Sequence, residues 1–95
     1  MITFMHVDFR VEDYQQWKSG FDASLPQRQM AGEVSYQILR NVDDEKSLTV
    51  VSVLKNAAVV GAFIKAPTFL EAMKASGISQ MGQVFLLEEI DGATH

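Results

Sequence analysis

A chain of 95 residues has room for one domain, and its 47% apolar content fits a packed core rather than a disordered polymer. Its 12 acidic against 8 basic residues give a net charge of −4 with no basic run, which disfavours nucleic acid or an anionic membrane as partner. The absence of cysteine removes disulfides, thiolate catalysis and cysteine-ligated metals, and fits a reducing compartment.

The N-terminal stretch MITFMHVDFR lacks a basic region ahead of an apolar one, so it reads as a strand rather than a signal peptide. No apolar run approaches the roughly 20 residues of a membrane span. A soluble, cytoplasmic protein with no membrane partner is expected. Residues 1–95 are read as a single ferredoxin-like domain.

The first strand is expected over Ile2–Arg10, with Met5, Val7, Phe9 and Val11 as the cleaner apolar row. Asp13 then suits a helix N-cap, with Gln16 as its capping-box partner. Tyr14, Trp17, Phe21 and Leu25 follow at helical spacing and are expected to form a core stripe. Pro26 should break that run because it has no amide hydrogen, and Gly32 should end whatever turn follows.

Two further strands, Val34–Val42 and Leu48–Lys55, flank the acidic connection Asp43–Lys46 and read as a hairpin. Asn56 can cap a second helical region carrying Val59, Val60, Phe63 and Ile64, with Gly61 marking close packing. Ala66-Pro67 interrupts that region, and Phe69, Leu70 and Met73 continue its apolar side. Gly77 before Ile78 reads as a left-handed helix end, and the last strand is expected over Val84–Ile90.

The order β-α-β-β-α-β predicts an α+β ferredoxin-like sandwich, a four-stranded antiparallel sheet with two helical regions on one face. The strands are apolar on both faces: Phe85 and Leu87 oppose Val84 and Leu86, and Val51 and Val53 oppose Val50 and Leu54. A sheet with one wet face would alternate apolar with polar. The second face therefore needs a cover, and another copy of the chain is the economical one, giving a homodimer. Folding at this size removes only about 60–68% of the chain's surface from water. A ligand cavity is accordingly expected between subunits rather than within one.

His6 and Asp8 share a face of the first strand, roughly 6.5–7 Å apart along it, and Arg10 continues the row. A histidine beside a carboxylate is a usable acid–base pair, so His6 and Asp8 are the candidate catalytic residues. Arg10 and Arg28 are the candidate ligand-binding residues, able to hold an oxyanion. The same row also describes a plain Asp8–Arg10 ion pair beside a histidine bonded to backbone or water. Only His6 and His95 could serve a metal as imidazoles, and no metal or cofactor is expected. The chain has no HExxH, P-loop, GxSxG or GxGxxG.

The string Val11-Glu12-Asp13-Tyr14-Gln15-Gln16-Trp17-Lys18, with Phe21-Asp22, Arg28 and Gly32 after it, resembles small proteins of the dimeric α+β barrel superfamily. These are the antibiotic-biosynthesis-monooxygenase-like and polyketide-cyclase-like proteins. Ala66-Pro67-Thr68-Phe69-Leu70-Glu71-Ala72-Met73 and Gly77 extend the likeness over nearly the whole chain. The resemblance implies a homodimer whose two sheets face each other.

In that superfamily, cofactor-independent monooxygenases use Asn, Trp and Arg lining the cleft between sheet and helices. Haem-degrading relatives bind iron through a histidine in the second helical region, and this chain has none between Asn56 and Gly77. The expected function is a small dimeric barrel protein binding a small molecule in a cavity lined by the sheet. The alternative is a cofactor-independent monooxygenase, isomerase or cyclase acting on an aromatic or polyketide-like compound. An ACT-like module and an RNA-recognition module share the element order. The first is opposed by the VEDYxxW string, the second by the acidic balance.

Overall fold

Alternation along the first strand decides which face of the sheet becomes core. In the computed structural model, which describes residues 2–55, 75 and 77–95, β1 spans Thr3–Val11. Its odd row is buried, with Val7 and Phe9 4% exposed and Val11 1%. Its even row, Phe4, His6, Asp8 and Arg10, is half-buried on the opposite face.

Asp13 caps α1, Tyr14–Ala23, as its residue type predicts: its carboxylate accepts from the backbone N–H groups of Gln15 and Gln16 at 3.0 and 3.2 Å. Trp17 is 3% exposed and packs on Phe9, with ring centroids 5.0 Å apart, which sets α1 on the odd face of β1. Tyr14 and Phe21 flank Trp17 at 5.9 and 5.0 Å. The aromatic stripe is core, as the helical spacing requires. Ser24 separates α1 from α2, Leu25–Met30, where Pro26 sits in the first turn and its missing N–H costs no helical bond. Gly32 and Gly77 both take left-handed backbone, φ +100° and +91°, as expected of residues that end helical turns.

β2, Glu33–Asn41, turns through Val42-Asp43 into β3, Asp44–Leu54. The turn is held by Asp43 N–H donating to Asn41 Oδ1 at 2.8 Å. β3 thus begins inside the acidic run that reads as a connection in the sequence. Its inward residues Leu48, Val50, Ser52 and Leu54 are all buried. β4 runs Ile78–Leu87, starting six residues before the expected Val84 and ending before Ile90. Its early half carries Ser79, Gln80, Gly82 and Gln83 and has no apolar alternation to announce it. What makes it a strand is pairing: Ile78 lies opposite Val11, Gln80 opposite Arg10 and Met81 opposite Phe9.

The sheet has the order β2-β3-β1-β4 with antiparallel pairing throughout. β1 and β3 are central, and β1 crosses to β2 through the helices, which is the ferredoxin-like α+β arrangement. The expected second helical region, with Asn56, Gly61, Pro67 and their apolar neighbours, lies outside the described residues. No helix among the described residues is long and apolar enough to cross a membrane.

Candidate functional site

The sheet face away from α1 is mixed: Phe4, Val51, Val53, Phe85 and Leu87 make an apolar end, while Asp8, Arg10, Thr49, Ser47 and, on β2, Ser35 and Gln37 are polar. Register places Phe4 between Val53 and Leu87, and His6 between Val51 and Phe85. Phe85 and Leu87 are 43% and 47% exposed, and Leu39 on β2 is 50% exposed. Asp8 stands opposite Thr49, and Arg10 opposite Ser47 and Gln80.

Within that strip, His6 Nε2 lies 3.0 Å from Asp8 Oδ1, and Thr49 Oγ1 donates to the same oxygen at 2.7 Å. Facing a carboxylate, Nε2 is the ring nitrogen that donates, and in the neutral tautomer Nδ1 is then the acceptor. The His6 ring also meets the edge of Phe85, centroids 6.1 Å apart and planes at 88°. The side chains of His6 and Asp8 are 35% and 45% exposed, open to a solute approaching the sheet.

Arg10 does not pair with Asp8. Its guanidinium engages Asp44 at the start of β3. That hydrogen bond, followed by one from the Lys46 backbone, holds the Asp44 carboxyl below the usual aspartate range. The simple Asp8–Arg10 pair of the sequence reading is thus replaced by two separate contacts.

Arg28 lies on the other side of the sheet. From α2 it pairs with Glu33, donates to Phe21 O and Ser24 Oγ, both at 2.9 Å, and lies over the Phe21 ring 3.8 Å from its centroid. Glu33 also accepts from Ser52 Oγ at 3.1 Å. Every part of the Arg28 head group has work inside the helix–sheet layer, and the structure does not bring it to the His6 row. His6, Asp8 and Arg10 are brought together on one face; Arg28 is not among them.

Thr49, Asp44 and Glu33 escaped the sequence reading. Thr49 is 41 residues from Asp8, and Asp44 is 34 from Arg10. Only strand register brings such pairs together. A polar Thr49 within the apolar run Leu48–Leu54 was the one available hint.

An open cleft of about 410 Å³ occupies the hairpin end, lined by Val11, Asp13, Tyr14, Arg40 and Lys46 among others. It does not coincide with the His6 strip. Its Lys46 is bonded to Glu12 at 2.8 Å, which raises the Lys46 pKa and lowers that of Glu12. Arg40 rests over the Tyr14 ring, 5.5 Å from its centroid. Its cations are thus engaged locally, whereas the His6 strip lies on a flat sheet and becomes a cavity only when covered. Among the described residues, no group of three or more His, Asp or Glu side chains is placed to hold a metal.

No protein-family model matches the chain, and no curated protein matches its sequence. Solved structures do match it in shape. SnoaB, a cofactor-independent oxygenase from Streptomyces nogalater, superposes with a TM-score of 0.72 at 17% identity, covering 99% of this chain and 97% of SnoaB. A protein from Bordetella bronchiseptica provisionally assigned as an antibiotic biosynthesis monooxygenase gives 0.73 at 15% identity, covering 94% and 97%. Rv0793 from Mycobacterium tuberculosis gives 0.68 at 16% identity, covering 99% and 100%. The chain therefore shares the ferredoxin-like α+β fold of these structures, the fold that its element order predicts. At such identities the likeness establishes architecture and leaves the chemistry to the site.

Proposed function

We propose that this protein is a homodimer that binds a small organic molecule over the sheet face carrying His6, Asp8 and Arg10. One observation carries the reading: a histidine held by a carboxylate, itself held by Thr49, beside the apolar residues Phe4, Val51, Val53, Phe85 and Leu87 on the sheet face turned away from α1. A second copy would cover Phe85, Leu87 and Leu39 and turn that flat face into a chamber. The apolar walls would bind the body of the ligand, and the His6 cluster would orient it. Cytoplasmic residence accords with the cysteine-free composition.

A second reading is a cofactor-independent monooxygenase, isomerase or cyclase acting on an aromatic or polyketide-like compound. It is favoured by Nδ1, which has no partner among the described residues: in the neutral tautomer His6 could take a proton there from an acidic C–H or O–H while Asp8 stabilises the imidazolium formed. The fold shared with SnoaB supports this reading by analogy alone.

Backbone NMR titration of the full chain against apolar and aromatic small molecules tests the binding reading. Shifts centred on His6, Asp8, Val51 and Phe85 are expected. Shifts confined to Tyr14, Arg40 and Lys46 would move the site to the hairpin cleft and overturn it.

A further inference from the structure

The His6 cluster is shaped on both sides by neighbouring strands, and that shape selects a ligand. On the β3 side, Thr49 fixes Asp8 Oδ1, the same oxygen that His6 uses. Both bonds fall on one oxygen, and among the described residues Oδ2 is left without a partner.

On the β4 side, the pairing slips between Val7 and Phe9, so a bulge falls opposite Asp8. Gly82 occupies it. A Cβ at Gly82 would stand 2.7 Å from the Asp8 carbonyl oxygen and 3.0 Å from Asp8 Cβ. Glycine therefore lets β4 close up while putting no side chain beside the Asp8 carboxylate.

The charges along the row can be counted. Arg10 is paired with Asp44, and His6 meets Asp8 through Nε2. Asp8 then presents a carboxylate oxygen, Oδ2, with no partner among the described residues, two positions from an imidazole whose Nδ1 accepts in the neutral tautomer. Both are acceptors. A carboxylate or phosphate ligand would meet acceptors of its own sign and, among the described residues of the row, no uncommitted cation. An ammonium group offers several donors and the opposite charge.

We propose that the site, if it binds small molecules as argued above, takes an organic ammonium group on an apolar or aromatic body, with Asp8 as the charge-reading residue, Thr49 as its positioning residue and Gly82 as the residue that keeps its approach open. The ammonium donates to Asp8 Oδ2 and His6 Nδ1, and its hydrocarbon part lies against Phe85 and Leu87. This reverses the oxyanion role that the arginines suggest in the sequence, because both arginines are already paired.

The test uses the full chain and three probes of one shape: 2-phenylethylamine, 2-phenylethanol and phenylacetate, followed by NMR and calorimetry at neutral pH. The amine should bind about tenfold or more tightly than either other probe, with shifts at His6, Asp8 and Thr49. Asp8→Asn should erase that preference, and Thr49→Val should weaken amine binding several-fold with the melting temperature nearly kept. Gly82→Ala should also weaken it, and since its Cβ strains the bulge, the Asp8 and Thr49 variants decide the matter if it fails to fold. Equal binding of alcohol and amine, or tighter binding of phenylacetate at the same residues, would overturn the ammonium assignment while leaving the ligand site intact. No shift at His6 with any probe would overturn the site and the assignment together.

Discussion

Arg28 lies 3.8 Å over the ring of Phe21 while its guanidinium pairs with Glu33, so one side chain ties α1, α2 and β2 together. The pair is largely withdrawn from solvent, with side-chain exposures of 15% and 5%. Removing Arg28 would strand a buried carboxylate whose other partner among the described residues is Ser52. Arg28→Ala should cost about 3 kcal/mol or more, the penalty of breaking a buried pair from one side. Urea denaturation measures it. Little loss of stability together with loss of ligand binding would return Arg28 to a ligand-binding role.

Trp17 is the centre of the aromatic core, touching Phe9, Tyr14 and Phe21. Its truncation leaves a cavity that a 95-residue chain has little surplus stability to absorb. Trp17→Ala should destabilise by about 3–5 kcal/mol or prevent folding. A well-folded variant that had lost only ligand binding would show that the aromatic stripe is a binding box after all.

Acid should weaken the hairpin end of the sheet before the rest. Asp44 and Glu12 both titrate below their usual ranges, through the hydrogen bonds of Arg10 and Lys46 respectively. A carboxyl whose folded pKa is depressed adds stability above its unfolded pKa, and that stability is lost as pH falls through the folded value. These groups are solvent-exposed, so the effect should be modest and reduced by salt. Denaturation midpoints across the acidic range should fall less steeply for Asp44→Asn than for the parent chain. Parallel curves would show that the Arg10–Asp44 pair contributes no pH dependence.

Local chemistry was legible where a residue acts on its own neighbours. Asp13 caps α1, Pro26 breaks the first helical run, and Gly77 takes the left-handed turn that its place before Ile78 foretold. The burial of Val7, Phe9 and Val11, with Met5 partly buried against them, followed from a period-two pattern. The start of β4 did not. Ser79, Gln80 and Gln83 lack strand character of their own, and the segment joins the sheet through Ile78, Gln80 and Met81, which pair with Val11, Arg10 and Phe9. The site divides the same way. His6 and Asp8 are neighbours in sequence and could be paired on paper, whereas Thr49, Asp44 and the bulge at Gly82 depend on register across strands.

Covering the His6 face requires a partner, and the homodimer has a direct test. Exposed apolar side chains at Phe85, Leu87 and Leu39 lie on that face. Monomeric proteins seldom expose contiguous apolar patches beyond about 300–600 Å². Sedimentation at micromolar concentration should show a dimer, and Phe85→Glu should yield monomer by placing a charge within the apolar face. A parent chain that sediments as a stable monomer would remove the chamber.

His6 is the last and most decisive position. Its side chain is 35% exposed, and its described polar contact is with Asp8, so little of the fold hangs on it. His6→Ala should therefore change stability by no more than about 1 kcal/mol, the usual worth of an exposed side-chain pair. It should nevertheless abolish the orienting contact for any molecule held on the sheet and any proton transfer carried out there. His6→Gln keeps a polar side chain of similar reach but has no ring nitrogen able to take a proton at neutral pH. If the role is binding alone, the glutamine variant should retain a substantial part of the affinity. If His6 moves a proton, it should bind and fail to turn over. Binding by calorimetry and turnover by product analysis, measured on both variants against the parent, separate these outcomes. An alanine variant that keeps stability, binding and turnover at parental levels would end the case for His6.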